Sequence, residues 1–325
     1  MLYPLTLQPI FKERVWGGRK IEELYHKPLP AGVPVGESWE VSDRPGDTSI
    51  IANGPLLRKN LSWLMEQHGK ELLAAPTAEQ GRFPLLIKIL DAQEKLSLQV
   101  HPPPDKAREL GGEPKTEMWY IADAVPGAKL YVGLKRGVSK EQFQQKIHDG
   151  IVEDCVQQLD VRAGDAMFLP SGRIHAIGAG LVIFEIQQNS DTTYRVFDWN
   201  RPGLDGKPRA LHINESLASI NFNDFEPPLI RPETQRDGPV QVSLLVRDPL
   251  FSVELYETSS ASTLSLPPCK LQILAITRGD LSISHDGTTL SLAAGGFCLV
   301  PASLSGVTAQ TRSPASFLRI EAGAK

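Results

Sequence analysis

Between residues 94 and 102 the chain alternates, with Leu96, Leu98 and Val100 on one side and Ser97, Gln99 and His101 on the other. A period of two predicts a β-strand with one apolar and one polar face, and here the polar face carries an amide and an imidazole two residues apart. Similar short runs fill most of the chain. "FPLLIKILDA" (83–92) predicts a strand that pairs with the next one through a tight turn at Asp91–Glu94. "TEMWYIADAVPGAKLYVGL" (116–134) predicts a hairpin turning at Pro126-Gly127, "GESWEVSDRPGDTSIIANG" a pair of strands, and residues 161–199 a succession of short strands. Helical spacing is confined to small stretches. A short helix is entered near "VWGGRKIEELY", and a longer one covers 60–74. Residues 139–160 predict a helix that opens on a Ser139/Gln142 capping box and is split in two by Gly150.

Residues 222–240 are rich in proline and charge and have no period, so they mark the boundary between two units. The organisation expected is a first unit at 1–225, with helical insertions near 60–74 and 139–160, a linker at 226–240, and a small β unit at 241–325. An internal repeat ties the units together. "GDAMFLPSGRIH" (164–175) runs Gly, five residues, Pro-x-Gly-x-x-His, which makes a turn, a short buried strand, and a second turn that delivers His175 inward. "GGFCLVPASLSG" (295–306) repeats the frame, with Ser303 where Gly172 stands and Gly306 where His175 stands. One strand–turn–strand unit used twice argues for a duplicated barrel, with the chemistry in the copy that has the histidine.

Composition adds exclusions. The net charge of −4 over 325 residues offers no general attraction for nucleic acid or an anionic membrane, so any anion site must be built locally. No apolar run reaches the roughly 18 residues of a membrane span, and the first residues lack the pattern of a signal peptide. Three scattered cysteines (Cys155, Cys269, Cys298) read as reduced thiols and not as a disulfide framework or zinc knot. A cytoplasmic protein is therefore expected, in which histidines and carboxylates hold any metal.

The frame around Gln99, His101, Glu117 and His175 resembles the cupin signature, a small jelly-roll barrel. There the first motif supplies His-x-His and a downstream Glu, and the second supplies the last His. In this chain Gln99 takes the first histidine's place. Two imidazoles, a carboxylate and an amide oxygen, delivered from three strands, suit a borderline divalent ion such as zinc, one per chain. Tandem cupin-type jelly rolls with small helical insertions, an all-β class, are the fold expected.

"LSLQVHP", "KTEMWYI", "PSGRIHAIGAGLVIFEIQQNSDTTYRVFDWNR", "PIFKERVWGG" and "GESWEVS" together closely resemble the short bacterial type I mannose-6-phosphate isomerases, from about residue 5 to the end and most strongly over 83–201. The resemblance implies a metal-dependent aldose–ketose isomerase. Its zinc ligands would be Gln99, His101, Glu117 and His175, its catalytic arginine Arg195, and its site lysine Lys115. The chemistry agrees, because moving a proton between C1 and C2 through an enediol(ate) needs a fixed positive charge at a developing oxyanion. Lys115 and Arg195 would anchor a phosphorylated hexose, and Asp191 would orient Arg195 or take part in proton transfer. Trp16, with Glu37 and Trp39, belongs to the cleft wall or the core. Larger members of the family carry an inserted helical domain that this chain lacks room for, so a more open cleft is expected. A cupin oxygenase and a non-catalytic sugar-phosphate-binding cupin are the competing readings, and the oligomer is a monomer or homodimer.

Overall fold

The computed structural model describes residues 1–74 and 81–323, so the last two residues of the expected second unit lie outside it. The chain is mostly β, with few and short helices. Four of its sheets carry the architecture, in two pairs. In the first sheet the strand order is Ile10–Gly18, Val35–Val41, Leu85–Ala92, Leu181–Gln188, Glu117–Ala124, Ala166–Leu169. The second runs Tyr194–Phe197, Leu98–Val100, His175–Ile177, Lys129–Leu134, Val156–Asp160. Residues 233–322 repeat the scheme. A six-stranded sheet runs Glu233–Asp237, Val240–Arg247, Phe251–Thr258, Ala315–Ala322, Gln272–Arg278, Phe297–Val300, and a four-stranded one runs Ser262–Ser265, Thr308–Thr311, Asp280–His285, Thr288–Ala293.

The strands of the first sheet look almost continuously apolar in sequence because both of their faces are covered. In Leu85–Ala92, Ile87 and Ile89 join a core shared with Phe251, Val253 and Ile320 of the second unit, whereas Leu90 packs between the first two sheets with Trp119, Ile121 and Val132. Aromatic contacts cross between the units. Phe184 stacks on Phe297 with ring centres 5.7 Å apart, and Phe168 meets Phe251 edge-on. One inward position of Leu85–Ala92 is Lys88, and the matching position of Leu181–Gln188 is Glu185.

Two expected hairpins are corner turns instead. Leu85–Ala92 and Leu98–Val100 lie in different sheets, as do Glu117–Ala124 and Lys129–Leu134, so each turn carries the chain from the first sheet to the second without pairing its flanks. The turn at Pro126-Gly127 is present, with Gly127 at φ +79° and Ala128 N–H donating to Val125 O. Sequence period fixes a strand and its faces, but not its partner. The helix predicted at 60–74 is Leu61–Leu73, capped by the Asn60 side chain accepting from Trp63 N–H. The Ser139/Gln142 capping box is made in both directions, on helix Lys140–His148. Its expected continuation is different: after Gly150 come one 3₁₀ turn, Val152–Cys155, and a strand, Val156–Asp160, that pairs with Lys129–Leu134. The stretch read as linker also contains a strand, Glu233–Asp237, on the edge of the third sheet.

The repeat holds with a shift in register. Leu169 and Val300 each precede the motif proline and sit on matching rungs, Leu169–Glu117–Gln187 and Val300–Gln272–Glu321. Beyond the proline the second turn is three residues longer. Gly306 (φ +68°) is therefore the counterpart of Gly172 (φ +91°) and not of His175. The residue in the histidine's place is Ala309, which pairs with Leu264 and Ile283 as His175 pairs with Gln99 and Val132.

Candidate active site

His101, Glu117 and His175 are buried and offer one ligand atom each within 4.8 Å of one another. They come from the end of Leu98–Val100 and the first positions of Glu117–Ala124 and His175–Ile177, two strand ends of the second sheet and one of the first. His101 Nε2 lies 3.4 Å from Glu117 Oε2, and His175 Nε2 lies 3.4 Å from Glu117 Oε1. Gln99, opposite His175 in the register, brings its amide to 3.3 Å from His175 Nε2. The outward nitrogens are anchored. Nδ1 of His101 is 2.8 Å from Thr192 O and Nδ1 of His175 is 2.9 Å from Arg173 O. A carbonyl can only accept, so each Nδ1 carries the proton and each Nε2 turns a lone pair inward.

The electrostatics favour ligands in their binding forms. Burial, then the Lys115 charge, pushes the His101 imidazolium down to about 4, and burial lowers His175 as well. Burial would raise the Glu117 carboxyl, but Lys115 and His101 outweigh it and hold the group well below the ordinary range. Both oxygens of Glu117 and Nε2 of His101 are buried without a hydrogen-bond partner. Three converging acceptors left in this state are costly unless a cation satisfies them, and the N₂O set with an adjacent amide fits a divalent ion.

A cavity of about 570 Å³ opens beside this centre, and Trp16, Gln99, Lys115, Asp191 and Arg195 all line it. Lys115 is buried with Nζ 3.2 Å from Glu117 Oε2, beside the group that could hold a metal ion. Arg195, opposite Gln99 on the neighbouring strand, donates from Nη1 to Ala210 O at 2.9 Å, and its Nε is buried without a partner. Asp191 lines the same cavity and makes no hydrogen bond to Arg195 among the described residues. Trp16 and Glu37 form cavity wall, and Trp39 lies behind them in the core.

Sequence reasoning missed a charged network in the same wall. Lys88 Nζ sits 3.1 Å from Glu185 and 3.9 Å from Glu37. Glu37 also accepts from Arg14 Nε at 2.8 Å and Trp39 Nε1 at 2.6 Å, and Glu185 accepts from Trp119 Nε1 at 3.0 Å. Burial raises the Glu37 carboxyl, but Lys88 and Arg14 together outweigh it and bring it down to about 2. Burial lowers the Lys88 ammonium, but Glu185 and Glu37 hold it above its usual value. The available signal was a single charge inside each of two apolar runs, "LLIKIL" and "LVIFEI".

Known proteins match along this whole arrangement. The catalytic-domain model of type I phosphomannose isomerase matches residues 5–123. The mannose-6-phosphate isomerase of Streptococcus mutans is 37% identical over 80% of this chain and 81% of its own. The probable mannose-6-phosphate isomerase GmuF of Bacillus subtilis is 35% identical over 93% of this chain and 94% of its own. The chain belongs to the type I mannose-6-phosphate isomerase family. The fold of this family member superposes on the crystal structure of the mannose 6-phosphate isomerase from Bacillus subtilis with a TM-score of 0.89, at 30% identity and covering 98% and 99% of the two chains. A phosphomannose isomerase from Salmonella typhimurium, at 18% identity, shares the fold with a TM-score of 0.78 over 99% of this chain. In the second unit of this isomerase the positions of Gln99, Glu117 and His175 are taken by Leu264, Gln272 and Ala309, so among the described residues the group that could hold a metal ion lies in the first.

Proposed function

We propose that this chain interconverts mannose 6-phosphate and fructose 6-phosphate at the His101–Glu117–His175 centre. In this reading Gln99 completes a site for one zinc ion, and the two units are cupin-type jelly rolls in tandem. The observation that carries the proposal is the convergence of buried, unsatisfied ligand atoms beside a cavity that Lys115, Arg195 and Asp191 line. Zinc held there would supply Lewis-acid polarisation of the sugar oxygens at C1 and C2. The chain's own groups account for the rest. Lys115 adds a fixed positive charge beside Glu117, where negative charge develops as the enediolate forms. Arg195 offers an unpartnered Nε and a rigid planar fork to substrate oxygens. Glu37 and Glu185 are tied to Lys88, Arg14 and indole N–H groups, which makes them poor bases. Glu13, Asp191 and Asp205 are the wall carboxylates without an ion pair among the described residues, and we assign the proton transfer between C1 and C2 to Asp191, which leads into the strand of Arg195. Trp16 closes the wall and limits the water that reaches the reacting carbons.

The test strips the metal with a chelator, restores zinc, and follows mannose 6-phosphate conversion, with Arg195→Ala in parallel. Zinc-dependent turnover that collapses in the variant is the expected result. Zinc-loaded protein that binds the sugar phosphate without converting it would overturn the isomerase reading in favour of a binding protein.

A further inference from the structure

One wall of the cavity is the segment that follows strand Tyr194–Phe197. Gly203, Leu204, Asp205 and Arg209 all line the cavity. The segment leaves the strand through two left-handed non-glycine residues, Trp199 (φ +57°) and Asn200 (φ +53°), and returns to it at His212. There Arg195 N–H donates to His212 Nδ1 at 3.1 Å and His212 N–H donates to Arg195 O at 2.8 Å. Arg209 is fixed by a fork on the buried Asp198, with Nε 2.6 Å from Oδ2 and Nη2 bonded to Oδ1. Arg201 shares the same carboxylate at 3.0 Å and is also 3.6 Å from Glu94.

The arginines of this wall differ in their partners. Arg201 and Arg209 both sit on Asp198, and Arg201 also reaches Glu94. Arg195, by contrast, has no carboxylate partner among the described residues and keeps a buried, unpartnered Nε. Burial and the neighbouring Arg209 both lower its affinity for its proton, which is the mark of a guanidinium short of an anion. Lys115, the other cation considered as an anchor, has its charge engaged by Glu117 beside the metal ligands. A phosphate group brings up to two negative charges and three acceptor oxygens, and matches a pair of guanidinium forks better than a point ammonium.

We propose that Arg209, together with Arg195, forms the subsite for the substrate's phosphate, and that Asp198 is the positioning residue that holds Arg209 in the cavity wall. The segment 199–212 then makes the site prefer a phosphorylated hexose to the plain sugar. The proposal rests on the isomerase reading for its substrate, but phosphate binding alone can test it.

The experiment compares zinc-loaded wild type with Arg209→Met, Arg209→Lys and Asp198→Asn. Its readouts are KM and kcat for mannose 6-phosphate, the preference for it over mannose, and competition by inorganic phosphate. Loss of a charge-assisted contact predicts that Arg209→Met raises KM and weakens phosphate inhibition by about ten- to a hundredfold. The preference for the phosphorylated sugar falls in proportion. Arg209→Lys retains part of the effect. Asp198→Asn raises KM more than it lowers kcat, a split that general loosening of the fold would not produce. Phosphate inhibition and KM at wild-type values in Arg209→Met, with zinc content intact, overturn the subsite. Should that variant fail to fold, Asp198→Asn decides in the same way, since unchanged phosphate inhibition there also overturns it. If wild type turns over no mannose 6-phosphate, the isomerase reading fails, and calorimetric titration of wild type and Arg209→Met with inorganic phosphate still tests the subsite.

Discussion

Glu37→Gln is the most exacting probe of the cavity wall, because it removes a charge and almost no volume. Glu37 is buried between Arg14, Trp39 and Lys88, with its carboxyl brought to about 2 against an ordinary 4.5. A folded-state pKa below the unfolded one means that the unfolded chain binds more protons between those values. The stabilisation is therefore complete above pH 4.5 and is lost as the pH falls toward 2. The difference of about 2.5 units corresponds to about 3 kcal/mol at pH 7 and about 1 kcal/mol at pH 3. Urea unfolding of metal-free wild type and variant at both pH values measures it, followed by tryptophan fluorescence and far-UV circular dichroism. Metal-free protein keeps the pH dependence of ligand protonation at the centre from entering through metal release. The gap between the two proteins should shrink by about half or more on acidification. A gap that stays constant or widens would show that Glu37 acts through shape, or through the amide's clash with the Arg14 and Trp39 donors, and the charge argument would fail.

Lys88→Met strands Glu185 and Glu37 in the wall and should cost about 3–5 kcal/mol by thermal or urea unfolding. Adding Glu185→Gln, which keeps an acceptor for Trp119 Nε1, should return a large part of that, and no recovery would refute the stranded-charge account. With His101 titrating near 4, zinc should still bind at pH 6 with little proton release, as read by calorimetry in buffers of different ionisation enthalpy. Release of a full proton there would contradict neutral ligands, and His101→Ala should retain no stoichiometric zinc by elemental analysis. Ser139→Ala breaks a capping box far from the cavity and should lower stability by about 1 kcal/mol with turnover unchanged. A loss of activity without loss of stability would be the unexpected result.

What was legible in the sequence depended on how local each signal was. The ligand strands could be read because Gln99 and His101, two residues apart, must share a face, and the Pro-x-Gly-x-x-His turn places His175 at a strand start. The capping box at Ser139 was legible for the same reason, since it lies within four residues. Strand partners were not. Leu85–Ala92 and Leu98–Val100 are neighbours in sequence and belong to different sheets, because the turn between them passes the chain from one sheet to the other where a meander would have a hairpin. Lys88 and Glu185 were hidden by the apolar runs around them. A strand covered on both faces shows no alternation until the second unit that covers its outer face is known. Arg209 was missed because it lies in a segment without any period, and only the fold brings it back beside Arg195.

The second unit clarifies what the buried pair in the first is for. Stepping two residues along the matched rungs puts Glu254 where Lys88 stands and Arg319 where Glu185 stands, and these two are paired at 2.7 Å. Both units therefore keep an ion pair at this rung, with the signs exchanged between strands. The second unit has Leu264, Gln272 and Ala309 where the first has Gln99, Glu117 and His175, so the pair there stands without the candidate metal centre of the first. A buried pair is a weak source of stability compared with apolar residues of the same size, but removing one member is strongly destabilising, which makes a pair hard to lose one substitution at a time. The polarity has no such constraint, because either orientation satisfies the rung. In the first unit it places the ammonium between Glu37 and Glu185, in the wall of a cavity that also contains Asp191. Reversing it there would put one carboxylate beside Glu37 without its cation and remove the positive charge that Asp191 faces. The pair itself is thus inherited with the framework, and its direction in the first unit is what suits that cavity.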